Sequence, residues 1–343
     1  MLAEEAVIGE LERSGSLHED PHFPPPEGER WLRPAECSFG QSASLFADCV
    51  APGAGVAVNL GSARLGDGWL LGALATVATR PALLHQLFLS VRGCHCGVYT
   101  VQLFIGESWT PVTVDDRLPC DESGVPLYAR SSQPGELWIS LIEKAWAKLL
   151  GGYQSLRIGH MPSALRALTG GLPLIVPLDA TAAFAAVGGA PPLTWERLRR
   201  LVATGSPMAL FRRGPAASTG SGGGSGSEGG EASAEAMAQS AERGEKMHSL
   251  AYPLLRTRAA NNVREVLVSD PWREPPPAGS GSRPTAKPAA GSSSAPEEEW
   301  LRFEQLPELF DVLHVAVGPA VDAAVLAADG ADPLSTKVSA REI

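Results

Sequence analysis

The chain reads as an α+β protein of two lobes, helix-rich in front and strand-rich behind, dividing near Asp179 to Pro191. Three observations predict this. Apolar residues recur at helical spacing in two long runs of the first half. Alternating or continuous apolar runs of strand length dominate the second half. Two stretches carry no core-forming pattern: Gly214 to Glu245 is rich in Gly, Ser, Ala and Glu, and Arg273 to Glu299 in Pro, Ser and Gly. Ordered sequence resumes after each, so both read as flexible insertions on a scaffold, and the tail from Pro319 reads as partly disordered.

Along the chain, the first interior element is a helix. Trp69, Leu70, Leu71, Ala73, Leu74 and Val77 are apolar nearly all round it, which places it in the core, and it should end before Pro81. "CHC" at Cys94 to Cys96 reads as alternate residues of a strand facing one way, a structural feature that brings too few ligands for a metal. "GVYTVQLFIGESWTPVTVDD" is two alternating runs around Gly106-Glu107, a β-hairpin. In "ELWISLIEKAWAKLLGGY", Leu137, Leu141, Ile142, Ala145, Trp146 and Leu149 share a helical face, and Gly151-Gly152 stops the helix. "PSALRALTGG" is a second, shorter helix. "PMALFRR", "SLAYPLLRTR", "VREVLVSDPW" and "LHVAVG" read as strands, with a turn at Ala259 to Asn262. "WLRFEQLPELF" is a helical or turn element before the last strand.

Bulk composition excludes several classes. The 343 residues carry a net charge of −10, which disfavours nucleic acid or an anionic membrane as partner. The first residues lack a basic and an apolar region, so they do not read as a signal peptide, and no stretch reaches the length of a membrane span. The five cysteines, Cys37, Cys49, Cys94, Cys96 and Cys120, are scattered without a CxxC pair, which fits a reducing, cytoplasmic setting.

"LGDGWLLGAL" poses the functional question. A tight turn runs straight into the interior helix, and Gly68 sits at its first position, although glycine has the largest entropy to lose there. A helix start of this kind suits a nucleophile, because unpaired N–H groups and the positive dipole end lower a thiol pKa and hold an oxyanion. Gly68 brings no side chain to that place.

"RLGDGWLLGALATVA" resembles the nucleophile motif of the calpain family, papain-like cysteine endopeptidases, whose pattern is Q-G-x-L-G-D-C-W-L-L. "HEDPHFPPP", "WLRPAE", "GVYTVQLFIGESWTPVTVDDRLPC", "GELWISLIEKAWAKLLGGYQSL", "ALRALTGG", "LAYPLLRTR", "VLVSDPW" and "WLRFEQLPELFDVLHVAVG" resemble further family motifs in the family's order, from about Leu17 to Gly318. The resemblance implies a papain-like two-lobe fold: an N-terminal segment over 1–16, a first lobe over 17–185, a second over 186–318 with insertions at 214–245 and 273–299, and a tail over 319–343.

Carried over position by position, the resemblance places the nucleophilic Cys on Gly68, the oxyanion-hole Gln on Ser62 with Ala63 beside it, the general-base His on Leu250 and the orienting Asn on Asp270; the family's Trp is kept as Trp272. Trp69 and Trp272 are expected to line the cleft. An Asp can orient an imidazole, but no His stands at the aligned place. His248 is two residues from Leu250, on the same face of a strand, yet the shift of roughly 6–7 Å exceeds hydrogen-bond reach. Ser62 as a substitute nucleophile lacks an activating base. Losing nucleophile and base together lowers the rate on the order of 10⁶-fold, which predicts a pseudoprotease that binds a protein or peptide in the cleft. The alternative is a calcium-dependent cysteine endopeptidase, supported by the resemblance alone.

The resemblance also implies calcium in each lobe. The first-lobe site would use Glu136 and the position of Asn59, where an amide replaces a carboxylate, with Ala54 at a nearby Gly; fewer charged ligands weaken such a site. Glu136 reads better as an acid near the start of its helix. The second-lobe site would fall on the Pro/Ser/Gly tract and is expected to be lost. Asp115 and Asp116 read as a strand-end turn making local hydrogen bonds and ion pairs.

Overall fold

The structure, a computed structural model, describes residues 2–40, 43–46, 58–59, 65–90, 92–131, 135–179, 191–212, 250–272 and 297–318. Helix α1 (Leu2–Ser14) is followed by β1 (Trp31–Leu32), β2 (Val58–Asn59), α2 (Gly68–Ala78) and α3 (Pro81–Gln86). Strands β3 (Phe88–Ser90), β4 (Val98–Ile105), β5 (Ser108–Asp115), β6 (Leu118–Pro119) and β7 (Arg130–Ser131) precede α4 (Trp138–Leu150) and α5 (Met161–Thr169). The rest comprises β8 (Leu172–Pro177), α6 (Trp195–Ala203), β9 (Met208–Arg212), β10 (Leu250–Ala260), β11 (Val263–Asp270), β12 (Glu297–Arg302), α7 (Leu306–Leu309) and β13 (Val312–Val317).

Two apolar cores organise these elements. The first gathers α2, α4 and α5 with the β3–β4–β5 sheet, and every residue of α2 from Trp69 to Ala78 is buried, as its all-round apolar pattern predicts. Helix α4 ends at Gly151, whose φ of +85° supplies the left-handed cap. The second core lies on the six-stranded antiparallel sheet, ordered β12-β11-β10-β9-β13-β8, against α6 and α7. Helix α6, which apolar spacing does not reveal, is capped by the Thr194 side chain accepting from Arg197 N and buries Leu198 and Leu201.

Period-2 alternation divides the sheet between the cores. Met208, Leu210, Leu254, Leu313 and Val315 face the second core, while Ala209, Ala251 and Ala316 join the first. Small residues on that face let α2 and α5 lie close to the strands.

Three local expectations change. Cys94 to Cys96 form a 3₁₀ turn instead of strand, because Gly97 at φ +72° closes it; Cys94 is exposed and Cys96 buried, so they do not share a face. "WLR" belongs to β12, and the helical part of that element begins only at Phe303. The strand Leu172–Pro177 pairs with β13, so the six-stranded sheet takes an edge strand from ahead of residue 185. The β10–β11 turn is formed by Asn261 and Asn262 at φ +49° and +64°, a backbone Asn tolerates better than most residues. Among the described residues no helix is long and apolar enough to cross a membrane.

Candidate functional site

The site is built at the N-terminus of α2. Gly66 takes the left-handed backbone of the turn (φ +79°), and Asp67 stands at the N-cap. Gly68 is the first helical residue, partly exposed, and its backbone is ordinary helix. Turn geometry therefore demands glycine at Gly66 and not at Gly68. Trp69, expected to line the cleft, is a core side chain instead. It is 8% exposed, its Nε1 donates to the Leu156 carbonyl at 2.8 Å, and its ring meets Trp146 edge-on. It braces the helix start from behind because position 69 turns inward from the partly exposed Gly68.

Strand β10 crosses α2 at close range. A Cβ on Gly72, one turn after Gly68, would lie 2.7 Å from the Ala251 Cβ, so this crossing needs a glycine facing an alanine. The backbone of Leu250, paired with Arg212, adjoins this contact. Trp272 covers the same seam: its Nε1 donates to the Ala251 carbonyl at 2.8 Å, and the Gly72 Cβ position is 3.9 Å from its ring. Asp270 closes the turn before it, its Oδ1 accepting from Trp272 N at 3.0 Å. Gly72, Ala251, Trp272 and Asp270 are thus drawn to one seam, with Gly68 and the Leu250 backbone at its margin. Ser62, Ala63 and His248 lie outside the described residues.

A second polar cluster lies away from this seam. Asp115 is fully buried and accepts from Asp20 N (2.8 Å), Arg117 N (3.0 Å), the Arg117 guanidinium (2.8 Å) and Lys144 Nζ (2.5 Å). Burial alone would raise its pKa, but the Lys144 charge, with the Arg117 and Asp20 hydrogen bonds, brings it down to about 2. Arg33 pairs with Asp116 at 2.5 Å, and Lys148 with Asp20 at 2.6 Å. Both carboxylates of the strand-end turn are therefore held by protein cations, as the local-hydrogen-bond reading expects.

At the start of α4, Glu136 is buried and accepts from the Ser131 hydroxyl. It precedes Leu137, the N-cap. The β2–β7 pair sets the Asn59 backbone opposite Arg130 and Val58 opposite Ser131, so the two positions implied for calcium reach the same corner. Of these positions one carries an amide, Arg130 stands opposite it in the strand pair, and no group of three or more His, Cys, Asp or Glu side chains able to hold a metal occurs among the described residues. Ala54 and the 273–296 tract are outside those residues.

Several buried groups have no counterpart in the sequence-based expectations. Asp67 and Glu143 face each other beneath the helix start, each 1% exposed, with Ala129 N donating to Glu143 Oε2 at 3.1 Å. Burial raises both pKa values, and the proximity of Asp67 raises Glu143 further. The available signal is an acid set within an apolar run in both "LGDGWLL" and "WISLIEKAW". His314 lies 6% exposed on β13 against Phe211, with Nδ1 lacking a partner among the described residues, and burial lowers its pKa to about 4.

Residues 12–275 match the family described as calpain family cysteine protease. The chain belongs to the calpain family. It is 31% identical over 260 residues to the calpain-type cysteine protease DEK1 of Arabidopsis thaliana, a match covering 75% of this chain and 11% of that relative. It is 37% identical over 159 residues to DEK1 of Zea mays (46% of this chain, 7% of that relative) and 32% over 187 residues to human Calpain-12 (49% and 25%). The chain thus spans a small part of these relatives' lengths.

Proposed function

We propose that this calpain-family core is a pseudoprotease that binds a peptide or protein segment between its two lobes. One observation carries the reading. The helix opening that would present a nucleophile begins with Gly68, while the adjoining α2–β10 seam is packed to van der Waals closeness. That closeness supports a scaffold whose helix and strand stay joined; a position without a thiol or hydroxyl cannot form an acyl-enzyme. Leu250 at the base position removes the proton acceptor as well, and Asp270 is engaged in its own turn with Trp272. The lobes of this reading are the assemblies around the first and second cores, and a cytoplasmic setting fits the free cysteines.

The test is cleavage of casein and of a peptide library by the purified chain, with calcium and with chelator. A variant carrying Gly68→Cys, Leu250→His, Asp270→Asn and Ser62→Gln runs beside it. The expected result is silence from the natural chain and gained cleavage by the variant. Calcium-dependent cleavage by the natural chain, lost on His248→Ala, would overturn the reading in favour of an endopeptidase with a displaced base.

A further inference from the structure

Cys37 and Cys120 come from segments 83 positions apart, yet their Sγ atoms lie 3.7 Å from each other. Both thiols are free, and the residues are 6% and 5% exposed. The surrounding backbone holds the two segments side by side. Trp31 and Leu32 pair with Pro119 and Leu118, Cys120 N donates to the Arg30 carbonyl at 2.8 Å, and Ser38 N donates to the Gly124 carbonyl at 2.8 Å. This contact belongs to neither the α2–β10 seam nor the Asp115 cluster.

We propose that Cys37 and Cys120 form a redox clasp, closing to an intramolecular disulfide under a small peroxide and reopening under a thiol reductant. The sulfurs need to approach by less than about 2 Å to reach disulfide bonding distance, within reach of side-chain rotation while the paired backbone stays in place. Either sulfur can donate in this contact; with Cys37 donating, the hydrogen bond lowers the Cys120 pKa, and the reaction begins at Cys120. Its thiolate attacks one peroxide oxygen; the O–O bond breaks, leaving a sulfenic acid on Cys120 and an alkoxide or hydroxide that takes up the thiol's proton. Cys37 sulfur then attacks Cys120 sulfur, the S–O bond breaks, and the departing hydroxide leaves as water with the Cys37 proton. Two thiols and one peroxide give one disulfide, one alcohol or water, and one water.

The clasp ties the leading segment to the turn after β6. That segment continues to residues 43–46, where Ser44 N donates to the Gly135 carbonyl and Leu137 N to the Ser44 carbonyl, at the start of α4. Oxidation would therefore tie the segment after β1 to the turn after β6, beside the contacts that Ser44 makes at the start of α4. Burial of both sulfurs selects small oxidants, whereas Cys94 is exposed and open to any reagent.

The test treats the full chain with hydrogen peroxide, blocks remaining thiols with N-ethylmaleimide, and maps unreduced peptides by mass spectrometry, with thermal unfolding in parallel. The expected result is a peptide linking Cys37 to Cys120, reversed by dithiothreitol. The disulfide closes a long loop, so the melting temperature should rise by several degrees. Cys120→Ala should abolish both, and Cys94→Ser neither. The mapping on the natural chain stands even if Cys120→Ala folds poorly. Recovery of Cys37 and Cys120 unlinked while Cys94 is oxidised, or a linked chain that melts no higher, would overturn the clasp.

Discussion

The α2–β10 seam and the Asp115 cluster use their residues in opposite ways. At the seam the helix face is made of small residues: Gly68 opens the helix, and Gly72 meets Ala251. At Asp115 the chain concentrates charge, with Lys144, Arg117, Arg33 and Asp116 in contact, and every one of those charges has a partner within the fold. Residue types that suggest catalysis or metal binding here hold the first lobe together, while the helix opening suited to a nucleophile carries none. The comparison separates two demands on a polar group: a structural one is met when its partners saturate it, a chemical one when a reactive atom is left to face a substrate.

Breaking the charged side should have the largest effect. Lys144→Met leaves Asp115 buried with one cation fewer and should cost about 3–5 kcal/mol of unfolding free energy, read by urea denaturation. Acid sharpens the same contrast. Below its ordinary pKa of 6.5 the unfolded chain protonates His314 while the folded chain resists until about 4, so stability should fall by about 3 kcal/mol across that window. His314→Leu should flatten this limb. A further loss should follow from about pH 3.8 to 2 as Asp115, ionised when folded, is forced to take a proton; chemical denaturation at stepped pH reads both.

Smaller effects belong to the seam. Gly72→Val forces a side chain against Ala251 and should cost about 1–3 kcal/mol, lowering the melting temperature. Gly68→Ala, at a helical backbone, should change stability by no more than about 1 kcal/mol. A loss at Gly68 as large as at Lys144 would mean that its glycine serves the fold, and the contrast between the two regions would fail.

Elements with strong periodicity are legible in the sequence: α2, α4 and the β4–β5 hairpin follow from apolar spacing and glycine stops. Helix α6 is not, because four charged residues break up its run "TWERLRRLVA" and leave only a narrow apolar stripe. Strand β8 is hidden by the two prolines that interrupt it, which an edge strand tolerates. The seam is legible through motif order, since the D-P-W turn and the helix start each have a local signature. The depth of Trp69 is not, because sequence does not say which side of a helix start an aromatic will take. Nor are the Asp67–Glu143 and Cys37–Cys120 contacts, since each joins segments 76 or more positions apart and depends on tertiary packing alone.

Thiol alkylation with peptide hydrolysis followed in the same sample tests the central claim most directly. If the α2 opening is unarmed, iodoacetamide at neutral pH should modify Cys94 at the rate of an ordinary exposed thiol, with no faster-reacting cysteine in the chain and no hydrolysis to lose. One cysteine reacting orders of magnitude faster, whose block abolishes calcium-dependent cleavage, would contradict the account.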